Sequence, residues 1–146
     1  MKWQILAIGK PSLAYAKAGV EEYWKRLSRY ATVELLTDWK DSGSAKNSEV
    51  LLAASEGAIR IALDERGEGW TTGAFAERVR GWQNGGVKRV ALLIGGADGH
   101  SPVLREAADH VLSLSAFTLQ HELALVVLLE QIYRVHTVLK GEPYHR

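Results

Sequence analysis

Five short apolar runs divide this chain, and most of them end at glycine or at other turn-forming residues. Runs of this length and composition predict β-strands over 3–9, 33–37, 58–63, 90–94 and 111–114. The run Val90 to Ile94 is apolar at every position, which is typical of a strand covered on both faces. A mostly parallel sheet is therefore expected.

Apolar residues recur at helical spacing between the strands. After Lys10 and Pro11, the residues Val20, Leu27 and Tyr30 define one face of a first helix. Further helices are predicted over 49–56, 71–83, 101–109 and 122–140, and the polar stretch 41–48 (DSGSAKNS) is predicted to be a mobile loop. Strands that alternate with helices predict a single α/β domain over 1–146, with helices flanking the sheet.

The last predicted helix is apolar all round over 123–129 (LALVVLL). A helix of this kind in so small a domain favours packing on its own sheet and on a second subunit, as in a homodimer. Complete burial within one chain is the alternative. Glu130 and Arg134 are spaced i, i+4 on this helix and can form an ion pair.

The composition narrows the function classes. The chain has 146 residues, no cysteine and a net charge of +1, so disulfides and thiolate chemistry are excluded and broad affinity for nucleic acid is not expected. The five histidines show no metal-binding spacing, and no metal is predicted. The first residues lack a secretory signal and no apolar run could span a bilayer, which predicts a cytoplasmic protein without a membrane partner.

Three loops follow predicted strands, over 63–69, 95–100 and 114–119. Ligands in parallel α/β sheets bind beyond the carboxyl ends of the strands, so these loops are candidate ligand loops. Gly95, Gly96 and Gly99 allow close backbone approach and positive φ angles, although a plain tight turn would also use them. The loops match neither the dinucleotide nor the phosphate-loop fingerprint, which favours a ligand without phosphate.

The carboxyl-terminal residues Tyr144, His145 and Arg146 combine an aromatic ring, an imidazole and a guanidinium. Such a set can stack on a base, form hydrogen bonds and pair with phosphate, as RNA-binding sites do. A frayed terminus without function is the alternative.

Several segments, taken in order, resemble one known family. They lie at 5–10, 22–27, 92–99, 114–121, 129–134 and 141–145, and the last reads G-E-P-Y-H. Their order and spacing over essentially the whole chain resemble the SPOUT-class 23S ribosomal RNA pseudouridine-N3 methyltransferase family. The resemblance implies a SPOUT-type α/β fold with a carboxyl-terminal trefoil knot, which topology rules alone argue against, and an obligate homodimer.

The resemblance also implies an activity and a site. The activity is S-adenosylmethionine-dependent methylation of N3 of a pseudouridine in 23S ribosomal RNA, on the large subunit or the assembled ribosome. The family's cofactor positions fall on Leu63, Gly95, Leu114, Ser115, Ala116, Phe117, Thr118 and Leu119. As catalytic residues we predict Tyr144, His145 and Arg134, with the tail of one subunit reaching the cofactor loop of the other.

Two positions depart from the family pattern. Gln120 replaces a common proline, which is expected to loosen the cofactor loop, and Leu125 replaces a common arginine, which removes a charge expected near the site. Three other functions stay open from the sequence: a SPOUT methyltransferase acting on another RNA position, a non-enzymatic ribosome-binding factor of the same fold, and an unrelated α/β ligand-binding module.

Overall fold

A computed structural model describes residues 1–146. Strands and helices alternate along the chain, as predicted for an α/β domain. In chain order they are β1 (Lys2–Ala7), α1 (Ala14–Leu27), β2 (Thr32–Leu36), α2 (Ser44–Ala54), β3 (Ile59–Gly69), α3 (Thr72–Asn84), β4 (Arg89–Ile94), α4 (Pro102–Ala107), β5 (His110–Ser113) and α5 (His121–Lys140).

All five strands pair in parallel, in the order β2-β1-β4-β3-β5. Trp3 of β1 stands opposite Val33 of β2 on one side and Val90 of β4 on the other. The central strand β4 is buried from Val90 to Ile94, so both of its faces are covered, as its sequence predicts.

Alternate residues of the central strands face two separate cores. Trp3 and Leu92 lie in the larger core, which α1, α3 and α5 cover, whereas Leu6 and Leu93 lie in a smaller core beneath α2 and α4. Helix α5 buries one face against the sheet through Leu125, Leu128, Leu129, Ile132 and Val135. Leu123, Val126 and Val127 on its other positions are only half-buried, so the single chain does not enclose this helix completely.

The prediction of a mobile loop over 41–48 is wrong for residues 44–48, whereas 41–43 lie outside helices and strands. Helix α2 begins at Ser44, and Asn47 and Ser48 are buried. The Asn47 side chain accepts a hydrogen bond from the Ser42 amide (2.9 Å) and donates one to Asp41 (2.8 Å). The polar residues that suggested a loop instead bond to one another and to the backbone around the start of the helix.

Strand β3 is longer than predicted and is interrupted. It leaves the sheet after Leu63 and rejoins it at Glu68, and both residues stand opposite Leu112 of β5. The residues between them form a bulge at the carboxyl edge of the sheet. None of the five helices combines the length and the apolar character that a bilayer-spanning segment requires.

Candidate active site

A cavity of about 410 Å³ opens at the carboxyl edge of the sheet. The bulge within β3 and the loops after β4 and β5 form its walls, and His121 and Ala124 of α5 contribute one side. These three strands are neighbours in a parallel sheet, so their carboxyl ends lie side by side. The three loops singled out in the sequence therefore meet at one place.

Seven of the eight predicted cofactor residues line this cavity. They are Leu63, Gly95, Leu114, Ser115, Phe117, Thr118 and Leu119. Ala116 lies on the same loop, exposed, and does not line the cavity. That these residues hold a cofactor stays a prediction.

The glycines of the β4–α4 loop are explained mainly by close packing. Gly99 has a positive φ of 71°, whereas Gly95 and Gly96 do not have positive φ, contrary to expectation. A Cβ atom at Gly95 would lie 3.0 Å from the carbonyl carbon of Gly99, and one at Gly96 would lie 2.7 Å from Cγ of Asp41. Side chains at these two positions would therefore force the loop away from its neighbours.

The β3 bulge supplies the polar rim of the cavity. The Arg66 guanidinium donates to both carboxylate oxygens of Asp64 at 2.9 Å, and this bonding holds the pKa of Asp64 below its ordinary value of 3.8. The Thr118 hydroxyl donates to Glu65 at 2.7 Å, which ties the β5–α5 loop to the bulge. Side-chain bonds thus join two walls of the cavity.

The start of α5 is held by two polar side chains. The Gln120 side-chain oxygen accepts from the amides of Glu122 (3.0 Å) and Leu123 (3.1 Å), so it caps the helix. Glu122 in turn accepts from the amides of Ser12 and Leu13 before α1, and these bonds lower its pKa. Gln120 thus fastens the start of α5, and the expectation that it loosens the cofactor loop relative to proline stays a prediction.

Leu125 lies in the larger core, 2% exposed, and does not line the cavity. Its side chain packs among apolar neighbours of the sheet and α5. In this chain the position therefore serves packing, and the expectation that a charge is missing near the site stays a prediction.

The predicted catalytic residues come together at the other end of α5. Arg134 pairs with Glu130 at 2.7 Å, as its spacing predicted, and its Nη1 lies 3.2 Å from Nδ1 of His145. The Arg134 guanidinium lies 4.7 Å from the ring centre of Tyr144, whose hydroxyl donates to Glu130 at 3.1 Å. Burial and the Glu130 carboxylate raise the pKa of Tyr144, so this hydroxyl stays protonated and remains a donor.

The C-terminal cluster of Arg134, Tyr144 and His145 is separate from the cavity of its own chain. None of these three residues lines the cavity, and Arg134 lies ten residues beyond Ala124 on α5. At a rise of 1.5 Å per residue this is about 15 Å along the helix axis. A single chain thus presents two candidate functional regions that do not touch.

Comparison with known proteins decides the family. The protein-family model described as "Predicted SPOUT methyltransferase" matches residues 1–145. The chain belongs to the SPOUT methyltransferase family. The predicted family membership is confirmed, and the protein is an enzyme of the methyltransferase class.

Curated relatives of this SPOUT methyltransferase carry the name "Ribosomal RNA large subunit methyltransferase H". A protein of Thermus thermophilus is 48% identical over 146 residues, covering 100% of this chain and 99% of the relative. The protein of Anaeromyxobacter sp. strain Fw109-5 is 46% identical over 154 residues, covering 100% of both chains. The protein of Synechococcus sp. strain RCC307 is 47% identical over 144 residues, covering 98% of this chain and 93% of the relative.

Sequence reasoning missed two residues that shape the site of this SPOUT methyltransferase. Asp41 accepts a hydrogen bond from the Ala97 amide (3.1 Å) on the cavity wall, and Glu122 fixes the start of α1 to α5. Asp41 sits in a stretch that has the composition of an ordinary loop, and Glu122 has the pattern of an ordinary acidic first turn. No local signal distinguishes either residue from its common alternative.

Proposed function

We propose that this chain is a cytoplasmic, S-adenosylmethionine-dependent methyltransferase that methylates N3 of a pseudouridine in 23S ribosomal RNA, on the large subunit or the assembled ribosome. The observation that carries the proposal is the convergence of three separate loops on one cavity at the carboxyl edge of the sheet. The relatives' names, which specify ribosomal RNA of the large subunit, support the substrate class. The proposal includes a homodimer and a carboxyl-terminal trefoil knot.

The cavity suits S-adenosylmethionine. Its volume of about 410 Å³ lies within the usual range for small-ligand pockets. Leu63, Leu114 and Leu119 offer apolar walls, and the residues of the tight Gly95 to Gly99 turn form another wall of the cavity. When bound, this cofactor supplies an already activated methyl group, so the protein needs no covalent intermediate.

Exposed apolar side chains beside the cavity support a homodimer. Phe117 is 84% exposed, and Leu13 and Tyr15 are also exposed at the start of α1. The Tyr15 hydroxyl lies 3.5 Å from the Gln120 side chain, which places these residues near the amino-terminal end of α5. A second copy that covers this surface, together with the half-buried positions of α5, would remove the apolar area from water.

The C-terminal cluster then acts on the cavity of the partner protomer. In its own protomer it lies about 15 Å from Ala124 along α5, too far for contact with a base held at the cavity. Tyr144 can stack on or hydrogen-bond to the base, and His145 can hold the base or assist removal of the N3 proton. Arg134 and Arg146 can pair with phosphate, so that the cluster orients the nitrogen towards the methyl group.

The test is methyl transfer by the purified protein to ribosomes that lack the modification, compared with naked 23S RNA. We expect one methyl group per ribosome, mapped by mass spectrometry to N3 of a pseudouridine. Methylation of a different nucleotide would point to another RNA position. Absence of S-adenosylmethionine binding in calorimetry would favour a ribosome-binding factor without turnover.

A truncated chain ending at Gly141 tests the role assigned to the tail. We expect it to bind S-adenosylmethionine as the full chain does, because no residue after Ala124 lines the cavity. Methyl transfer to ribosomes should be lost. Normal methylation by this truncated protein would rule out the assignment of Tyr144 and His145.

A further inference from the structure

The segment 41–48 lies directly against the β4–α4 loop and contacts it at two points. Asp41 Oδ2 accepts a hydrogen bond from the Ala97 amide at 3.1 Å, and Ser48 Oγ accepts one from the Ser101 amide at 3.0 Å. The loop residues Gly96 to Gly99, which include the first of these contacts and precede the second, line the cavity. The two bonds thus satisfy two backbone donors, one within the loop and one at its end.

The Asp41 carboxylate is itself held in place. Its Oδ1 accepts from the Asn47 side chain (2.8 Å) and from the Gly43 amide (3.2 Å), and these bonds together with the Ala97 amide lower the pKa of Asp41. Asn47 is 2% exposed and also accepts from the Ser42 amide, so it is fixed by the fold around α2. The carboxylate therefore has little freedom to move away from the loop.

The loop is shaped to receive this carboxylate. A Cβ atom at Gly96 would lie 2.7 Å from Cγ of Asp41, which is closer than carbon atoms approach without a bond. On its other side the loop is closed by the Gly99 amide, which donates to the Gly96 carbonyl at 3.0 Å. Asp41 can therefore lie this close to the loop only because Gly96 has no side chain.

We propose that Asp41 is a positioning residue that fixes the Gly96 to Gly99 wall of the cavity in its ligand-binding shape, with Ser48 as the second anchor. This inference rests on the proposed function, because the ligand of that wall is taken to be S-adenosylmethionine. Asp41 does not line the cavity, so it acts through the loop backbone and not by touching the ligand.

The experiment compares Asp41→Asn with Asp38→Asn in the full-length protein. Asparagine keeps the shape of Asp41 but replaces one acceptor oxygen with a donor, which conflicts with either the Ala97 amide or the Asn47 amide. Asp38 is a matched control, because its carboxylate is 77% exposed and pairs only with Lys10 at the surface.

We expect Asp41→Asn to weaken S-adenosylmethionine binding about fivefold in calorimetry, the effect of losing one hydrogen bond from a preorganised loop. The KM for the cofactor should rise by a similar factor, while kcat at saturating cofactor and the KM for ribosomes stay unchanged. Amide hydrogen exchange at Ala97 should accelerate. A residue that only stabilised the fold would instead lower the active fraction without raising one KM alone.

Gly96→Ala tests the same contact from the opposite side. We expect it to weaken cofactor binding, and we expect the double variant with Asp41→Asn to lose less than the sum of the two single effects, because both disturb one contact. Additive losses would contradict the proposed contact.

The inference and the proposed function fail in different ways. If the unaltered protein does not bind S-adenosylmethionine, the proposed function fails, and exchange at Ala97 still decides whether Asp41 holds the loop. If the unaltered protein binds the cofactor and Asp41→Asn matches Asp38→Asn in affinity and in Ala97 exchange, the positioning role is overturned.

Discussion

A hydrogen bond between two buried side chains links the first strand of this fold to its last helix. The Trp3 indole donates to Nε2 of His136 at 2.9 Å, between β1 and α5, and the imidazole stacks on Tyr30 with ring centres 5.9 Å apart. His136 is 3% exposed, and burial, reinforced by Lys140, lowers its pKa from 6.5 to about 4. The imidazole is therefore neutral at physiological pH and serves as a hydrogen-bond acceptor.

This pair predicts a pH dependence of folding. The unfolded chain binds a proton at His136 near pH 6.5, but the folded chain binds it only near pH 4, so the free energy of unfolding falls as the pH falls between these values. The loss attributable to His136 should approach about 3 kcal/mol at the acid end. Urea unfolding midpoints measured from pH 7 to pH 4 would show it.

His136→Gln is the matched variant for this measurement, because its amide oxygen can still accept from Trp3 and does not titrate. The variant should lose stability with acid less steeply than the original protein. Some slope should remain, because burial also lowers the pKa values of His100 and His110. Identical pH profiles for the two proteins would contradict this account.

At this scale the sequence predicted a contact set by local spacing but not the contacts between distant segments. The pairing of Glu130 with Arg134 follows from helical spacing alone and is confirmed. The partners Trp3 and His136 lie 133 positions apart, and Asp41 and Ala97 lie 56 apart. No local pattern encodes such pairs, since they depend on which elements the tertiary fold brings together.

Among the elements, the start of α4 connects the cavity loop to the fold. Ser101 is its N-cap, and its Oγ accepts from the Leu104 amide at 3.2 Å, with Pro102 in the first turn. Leu104 is fully buried in the smaller core, so the cap fixes both the helix and the end of the β4–α4 loop.

We expect Ser101→Ala to lower the free energy of unfolding by about 1 kcal/mol, because one amide of the first turn loses its partner. The hydrogen bond from the Ser101 amide to Oγ of Ser48 is retained in this variant. Urea denaturation provides the measurement. Val103→Ala on the same helix is the control, since Val103 is exposed and its truncation should change stability by less than about 0.5 kcal/mol.

Elements with regularly spaced or continuous apolar residues follow from the sequence. Elements whose start depends on polar side chains do not. The strand over Val90 to Ile94 and the helix ending before Gly141 agree with the structure. The composition of segment 41–48 predicts a loop, but serine, asparagine and aspartate side chains bond to the backbone equally well in turns and at helix starts. The tertiary contacts of Asp41 with Ala97 and of Ser48 with Ser101 are not visible in that local pattern.

At the scale of the whole molecule, the proposed function needs two protomers, because the C-terminal cluster of one acts at the cavity of the other. The apolar run over 123–129 predicted a helix with two packing partners, and the sheet is visibly one of them. The sequence could suggest a second subunit but not the surface by which it docks, and chain threading through a knot has no local signature.

Mixed dimers test whether the cluster acts across the interface. The truncated chain ending at Gly141 and a full chain carrying Gly95→Leu, whose side chain would push against the Gly99 backbone and distort the cavity wall, should each be inactive as homodimers. Random mixing of the two should restore about a quarter of the original methyl transfer, because half of the dimers then contain one intact site. A mixture as inactive as its components would show that the cluster acts within its own chain.

The strand order described above also sets when this protein can fold. Lys2 pairs with Arg89, so the first strand stays without its inner neighbour until most of the polypeptide has been synthesised. The larger core is covered in part by α5, which follows all five strands in the chain. Contacts so distant in sequence slow folding and leave apolar strand edges open to the solvent meanwhile. Open strand edges of this kind are among the surfaces that chaperones shield during translation.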